Sequence, residues 1–192
     1  MVKSYLLTVG DYTRRLPIIP IDETHGMAVF VLLGDARMTH ESAKLLVDKI
    51  PDNFDYLVTT ESMGIPLVHE MSVLSLHSEY IVLRQSKKIY MQSPIAQKDY
   101  VDRWGNTKNM YLDAIDSKRL VGKKVVIVDD IVTSGASMAA ASELLKSVGA
   151  KVVAQAAILA EGDAVHRKDL VFLEGLPLFE QNGDDFEPVS LD

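Results

Sequence analysis

The sequence predicts an α/β fold, a doubly wound parallel sheet, on two observations. The first is Val125-Val126-Ile127-Val128, an unbroken β-branched run between Lys123-Lys124 and a turn. A run without polar alternation is what a strand buried on both faces of a parallel sheet requires. The second is rhythm: apolar runs at Asp55–Thr60, Glu79–Arg84 and Lys151–Ala160 alternate with helix-forming stretches, and that alternation builds parallel sheets.

In chain order, Tyr5–Val9 and Leu16–Ile21 read as extended runs joined through Gly10-Asp11. Pro17 and Pro20 demote the second run to an edge or a cover. Ala28–Leu33 is a strand candidate stopped by Gly34-Asp35, and Thr39 is the expected cap of a helix over His40–Lys49. The strand Asp55–Thr60 leads through Glu61-Ser62-Met63-Gly64 into a helix from Ile65 to Leu76, a loop with anion-binding logic at a helix N-terminus. His69 on that helix reads as an ordinary core or surface residue. The strand Glu79–Arg84 runs out into Gln85-Ser86-Lys87-Lys88, and residues 89–110 turn polar and irregular, with Pro94 and Gly105. A connection of that length inside a compact domain is expected to be a lid or disordered. After Leu120-Val121-Gly122 come the central strand and a helix over Met138–Lys146. Gly149 then caps the entry to the strand Lys151–Ala160, with Glu161-Gly162-Asp163 at its end. From Glu174 to Asp192 there are six acids and no lysine or arginine, which predicts a solvated tail over 181–192.

The chemistry concentrates where the central strand ends. Thr133-Ser134-Gly135-Ala136-Ser137 can bend so that successive amides, two hydroxyls and a helix N-terminus converge on a phosphate dianion. Asp129 and Asp130 are acceptors that repel phosphate and call for hydroxyl donors one sugar-length away, as in a ribose diol. A ribose 5-phosphate meets both demands. The alternative is a buried strand that simply ends in an acidic turn and a helix cap. A Walker loop is excluded, because no Gly-Lys-Ser/Thr follows, and G-x-G-x-x-G is absent.

Over Val125–Ser137 the chain resembles the phosphoribosyl pyrophosphate (PRPP) motif of the type I phosphoribosyltransferases: an apolar strand, two acids, two apolar residues and a T-[SG]-G-x-[ST] loop. The resemblance implies that Asp129, Asp130, Thr133, Ser134, Gly135, Ala136 and Ser137 hold the ribose 5-phosphate. It implies that Glu61, Ser62, Met63, Gly64, Arg84, Lys87 and Lys88 meet the pyrophosphate, with Asp129, Asp130, Arg84 and Lys88 as the catalytic set. It further implies a hood over the base from terminal segments including residues 1–27, a mobile lid over 89–110, and one domain over 1–192. Mg2+ would be brought in by PRPP, with no metal site of the protein's own, and the assembly would be a homodimer. The adjacent acids and the E-x-x-G pattern are most similar to the adenine and xanthine branch, so the expected reaction joins a purine, adenine favoured, to PRPP. Three departures mark the chain: Met63 where adenine enzymes carry a basic residue, Gln85 inside the R-K-x-x-K pattern, and Arg103 where a glutamate precedes the aromatic-glycine pair, here Trp104-Gly105.

Bulk properties narrow the classes. A chain of 192 residues with 47% apolar and 24% charged content suits one soluble domain with a sizeable core. The absence of cysteine excludes disulfides, thiolate catalysis and cysteine-based zinc sites. A formal charge of −7 argues against nucleic acid as a partner. Within it the stretch Arg84–Lys108 is net +4, which calls for a local anion. No run approaches a membrane span and the start does not resemble a signal peptide, so a cytoplasmic protein is expected. Two rivals remain at this level: phosphoribosyltransferases for xanthine, guanine or orotate, and a non-catalytic PRPP-sensing regulator.

Overall fold

The computed structural model describes residues 3–102, 105–183 and 185–191. Its centre is β8 (Lys124–Val132), flanked by β9 (Lys151–Glu161) and β4 (Tyr56–Thr60). The order is completed by β10 (Leu170–Leu176) outside β9 and β5 (Ile81–Leu83) outside β4, and every pairing is parallel. Val126 and Val128 face one core with α1 (Ala36–Val47) and α2 (Ile65–Leu74). Val125 and Ile127 face the other, with α3 (Ala114–Leu120) and α4 (Ala136–Ser147). All four side chains are buried, so the missing polar alternation has its cause in helices on both faces.

A second, smaller sheet is antiparallel. It is assembled from β1 (Ser4–Val9), β2 (Tyr12–Pro20) and β3 (His25–Ala28) at one end of the chain and β11 (Phe179–Asn182) and β12 (Asp185–Pro188) at the other. Leu7, Val9, Leu16 and Phe179 bury its inner face in the same core as α1 and α2. The acidic C-terminal stretch is solvated but is not a loose tail: β11 and β12 pair as strands with Glu180, Asp185 and Glu187 exposed, and Phe179 gives them an apolar anchor.

Three further expectations are corrected. β2 is interior rather than an edge. It pairs with β1 up to Pro17 and with β3 from Ile18 to Pro20, so each proline sits at the end of a ladder, where a missing N–H is harmless. The apolar run 28–33 is a strand only up to Ala28; Val29–Leu33 then crosses irregularly toward α1 and uses Phe30 and Leu32 as plugs in the core. The cap of α1 is Asp35, whose carboxylate accepts from the Met38 amide at 3.0 Å. Thr39 lies inside the helix, buried, its hydroxyl donating to the Asp35 carbonyl at 2.8 Å.

The segment 89–110 is also more ordered than its composition suggests. β6 (Ile95–Val101) and β7 (Thr107–Leu112) form an antiparallel hairpin that lies along α4, anchored by buried Met110 and Leu112. Gln97 of the hairpin donates to Glu143 of α4 at 3.1 Å. Arg103 and Trp104, the third departure from the adenine pattern, lie outside the described residues.

Candidate active site

β8 delivers two carboxylates to the carboxyl edge of the sheet, the edge where open α/β sheets bind ligands. The ladder continues past them to Val132, so backbone pairing with β9 fixes both acids. Asp129 Oδ1 accepts from the Asp130 amide at 3.0 Å, and Oδ2 accepts from the Thr60 hydroxyl at 3.4 Å. Burial pushes the Asp129 carboxyl well above the usual carboxylate range, and the adjacent Asp130 charge adds to the push. Asp130 is also raised, by burial that its hydrogen bonds with Asp129 and the Ile131 amide only partly offset. Two half-buried carboxylates on adjacent residues favour holding one proton between them, and ribose hydroxyls or a cation would relieve the same repulsion.

The loop after β8 is shaped by Gly135, which has φ 74° and stands as the cap of α4 with no side-chain capping bond. Left-handed backbone at this turn aims the start of α4 at the cavity. A guanidinium that sequence reasoning missed lies behind the turn: a Cβ on Gly135 would strike Arg167 NH1. Arg167 is fixed by Asp169, with Nε to Oδ1 at 3.1 Å and NH2 to Oδ2 at 2.8 Å, and by Gln155 Oε1 at 3.1 Å. Its guanidinium therefore lies against the turn at Gly135. A cavity of about 310 Å³ opens over the loop, walled by residues 131–138, Asp129 and Gln85 and roofed by Tyr100, Asp102 and Lys108 of the hairpin.

A cationic cluster lies at the ends of β4 and β5. The Glu61 carboxylate binds Lys88 Nζ at 3.1 Å and Arg84 NH1 at 3.6 Å, and it accepts from the Gln85 amide at 3.1 Å. Burial alone would raise the Glu61 carboxyl, but the Gln85 amide, Lys88 and Arg84 outweigh it and the group is held low. Gln85 Nε2 also donates to the Glu61 carbonyl at 2.7 Å, which ties the loop to the end of β5. The Glu61–Ser62 peptide bond is cis. Gly64 is buried at the start of α2, so close to β8 that a Cβ would strike the Thr59 hydroxyl and stand 3.2 Å from Asp129 Oδ1.

One independent finding decides the family. The family model described as "Phosphoribosyl transferase domain" matches residues 36–186. The chain belongs to the phosphoribosyltransferase family. An adenine phosphoribosyltransferase of Agathobacter rectalis is 30% identical over 153 residues, covering 76% of this chain and 81% of that protein. A hypoxanthine/guanine phosphoribosyltransferase of Methanotorris igneus is 29% identical over 144 residues, 72% of each chain. The crystal structure of an adenine phosphoribosyltransferase from Thermoanaerobacter pseudethanolicus matches the fold at a TM-score of 0.66, with 18% identity, over 84% of this chain and 95% of that one.

Within this phosphoribosyltransferase the residues singled out from sequence fall into two groups at one sheet edge. Asp129 and Thr133–Ser137 gather around the cavity, with Asp130 next to Asp129 on β8 but outside the lining, while Glu61, Arg84 and Lys88 form the ion-pair cluster beside Gly64. Ser62 and Lys87 are exposed, and Lys87 is not part of that cluster. Met63 is half-buried and brings no charge to the loop. Glu61 itself, being an anion, fits the role of holding the two cations rather than meeting a pyrophosphate. His69 is exposed on α2, its ring edge-on to Tyr80 at 6.0 Å.

Proposed function

We propose that this enzyme transfers the 5-phosphoribosyl group of PRPP to a purine base, adenine favoured, forming a nucleoside 5′-monophosphate and releasing pyrophosphate. The observation that carries the reading is the juxtaposition at the end of β8: two adjacent acids directly before a left-handed glycine loop that opens a helix. Asp129 and Asp130 accept from the ribose diol, and the loop amides and hydroxyls receive the 5′-phosphate. Arg84 and Lys88 stabilise the negative charge that grows on the departing pyrophosphate. Charge developing on the sugar is oxocarbenium-like and sensitive to water, so the hairpin β6–β7 acts as the lid and the small sheet β1-β2-β3-β11-β12 as the hood over the base.

Mg2+, if brought in with PRPP, would supply charge neutralisation for the leaving group. The acid pair fits a nearby cation, because one would relieve the repulsion between Asp129 and Asp130. The hypoxanthine/guanine relative makes a 6-oxopurine the second reading of the base. We further propose a homodimer working in the cytoplasm. No helix among the described residues is long and apolar enough to cross a membrane, and exposed Leu76, Ile89 and Tyr90 offer apolar area for self-association that light scattering can test. The functional test is titration of PRPP with Mg2+ into the wild-type protein and Asp129→Asn/Asp130→Asn. The reading expects at least tenfold weaker binding from the loss of charged hydrogen bonds, and equal affinity in a folded double variant would overturn it.

A further inference from the structure

The hairpin contains one irregularity. β6 pairs with β7 in one register up to Gln97↔Met110 and in another from Tyr100↔Lys108, so Lys98 and Asp99 together oppose Asn109 alone. This is a β-bulge. Asp99 sits at φ 59°, and its amide donates to Asn109 Oδ1 at 3.3 Å. Left-handed backbone is costly for a residue with a Cβ, and bulges gather beside active sites because they re-aim the side chains that follow.

The consequence can be worked from the pleat. On β7, Leu112 and Met110 are buried against the main domain, and alternation places Lys108 on that same face. Residues directly opposite in a ladder share a face, so Tyr100 turns inward with Lys108. Without the bulge Asp99 would stand opposite Lys108 and Tyr100 would face solvent. The surroundings agree: Tyr100 is half-buried against the α3–α4 core and lines the same cavity as Ser137. Lys108 lines the same cavity, 3.8 Å from Asp102 Oδ2. The stretch from Asp129 to Met138 contains no lysine or arginine of its own.

We propose that Tyr100 and Lys108 are ligands of the ribose 5-phosphate: Lys108 supplies the cation opposite the phosphate loop, and the Tyr100 hydroxyl donates to a phosphate oxygen beside Ser137. The inference rests on the functional reading above and adds two binding residues to it. Isothermal titration with ribose 5-phosphate, and separately with Mg2+ and pyrophosphate, tests it on the full chain. Lys108→Met and removal of Asp99 should each weaken ribose 5-phosphate binding tenfold or more. Tyr100→Phe should weaken it threefold to tenfold, and Lys108→Arg should keep most of it. Pyrophosphate affinity should stay within about twofold in all four variants. Wild-type-like ribose 5-phosphate affinity in Lys108→Met and Tyr100→Phe overturns the proposal, as does an equal loss of both ligands, which would mean general damage to the hairpin. A wild-type protein that binds neither ligand instead sinks the phosphoribosyl reading itself, so the two failures are distinguishable.

Discussion

Replacing Gly64 by alanine should damage the protein through one contact that can be followed atom by atom. The φ of Gly64 is −75°, open to any residue, so its requirement is space rather than handedness. The added Cβ would strike the Thr59 hydroxyl and stand 3.2 Å from Asp129 Oδ1 and 3.3 Å from the Val128 carbonyl. Thr59 is fully buried and Val128 belongs to the central strand, so neither can retreat freely. Overpacking of this kind costs about 1–3 kcal/mol. The loop must back away from β8 or Asp129 must give way, because the new Cβ crowds its Oδ1. Gly64→Ala should therefore lower unfolding free energy by about 1–3 kcal/mol in urea titrations and weaken PRPP binding at least tenfold. Thr59→Ala removes the struck hydroxyl. The double variant should be more stable than the summed single effects by at least about 1 kcal/mol, the coupling expected of residues in contact. An unchanged urea midpoint with normal PRPP affinity in Gly64→Ala, or strict additivity in the double variant, would refute the close-packing argument.

Three further outcomes are expected. The Asp129 carboxyl titrates higher in the folded protein than in the unfolded chain, so the folded state holds the extra proton between those values. Stability of the free protein should then fall as pH rises from about 4 through the folded value. Asp129→Asn should flatten that fall and raise Tm at neutral pH while losing ribose binding, and an unaltered profile of Tm against pH contradicts it. Gly135→Val combines left-handed backbone, which costs about 1–2 kcal/mol with a Cβ, with a collision at Arg167. Calorimetry should show a lowered Tm, and ribose 5-phosphate binding should be lost; normal binding would reduce the loop to a helix cap. Glu61→Gln frees Arg84 and Lys88 from their carboxylate, so pyrophosphate should bind several-fold tighter. Weaker binding in that titration would make Glu61 a direct participant instead.

The parts of this molecule that could be read from sequence are those whose cause is local. Val125–Val128 announced a strand covered on both sides because burial leaves its mark residue by residue. Thr133–Ser137 announced a glycine turn opening a helix because the turn and the helix start lie within it. Pairings between distant segments leave no such mark. The small sheet joins the two ends of the chain, and only the observed register shows that acidic β11 and β12 are strands. Thr39 looked like a cap because Ser and Thr cap well, yet Asp35 lies at the true start and outcompetes it. Arg167 reaches the back of the phosphate loop only because the short helix Gly162–His166 returns the chain there. Lys108 was counted within a basic strip, but its face, and that of Tyr100, depends on a bulge with no sequence signature as clear as a glycine.

Turnover tests the central claim most directly. The wild-type protein should be incubated with PRPP, Mg2+ and, one at a time, adenine, guanine, hypoxanthine, xanthine and orotate, with pyrophosphate release and nucleotide formation both measured. The account predicts pyrophosphate and a purine nucleoside 5′-monophosphate in equal amounts, with adenine the best acceptor, and loss of both products in Asp129→Asn/Asp130→Asn. Tight PRPP binding without pyrophosphate release for any base would contradict it.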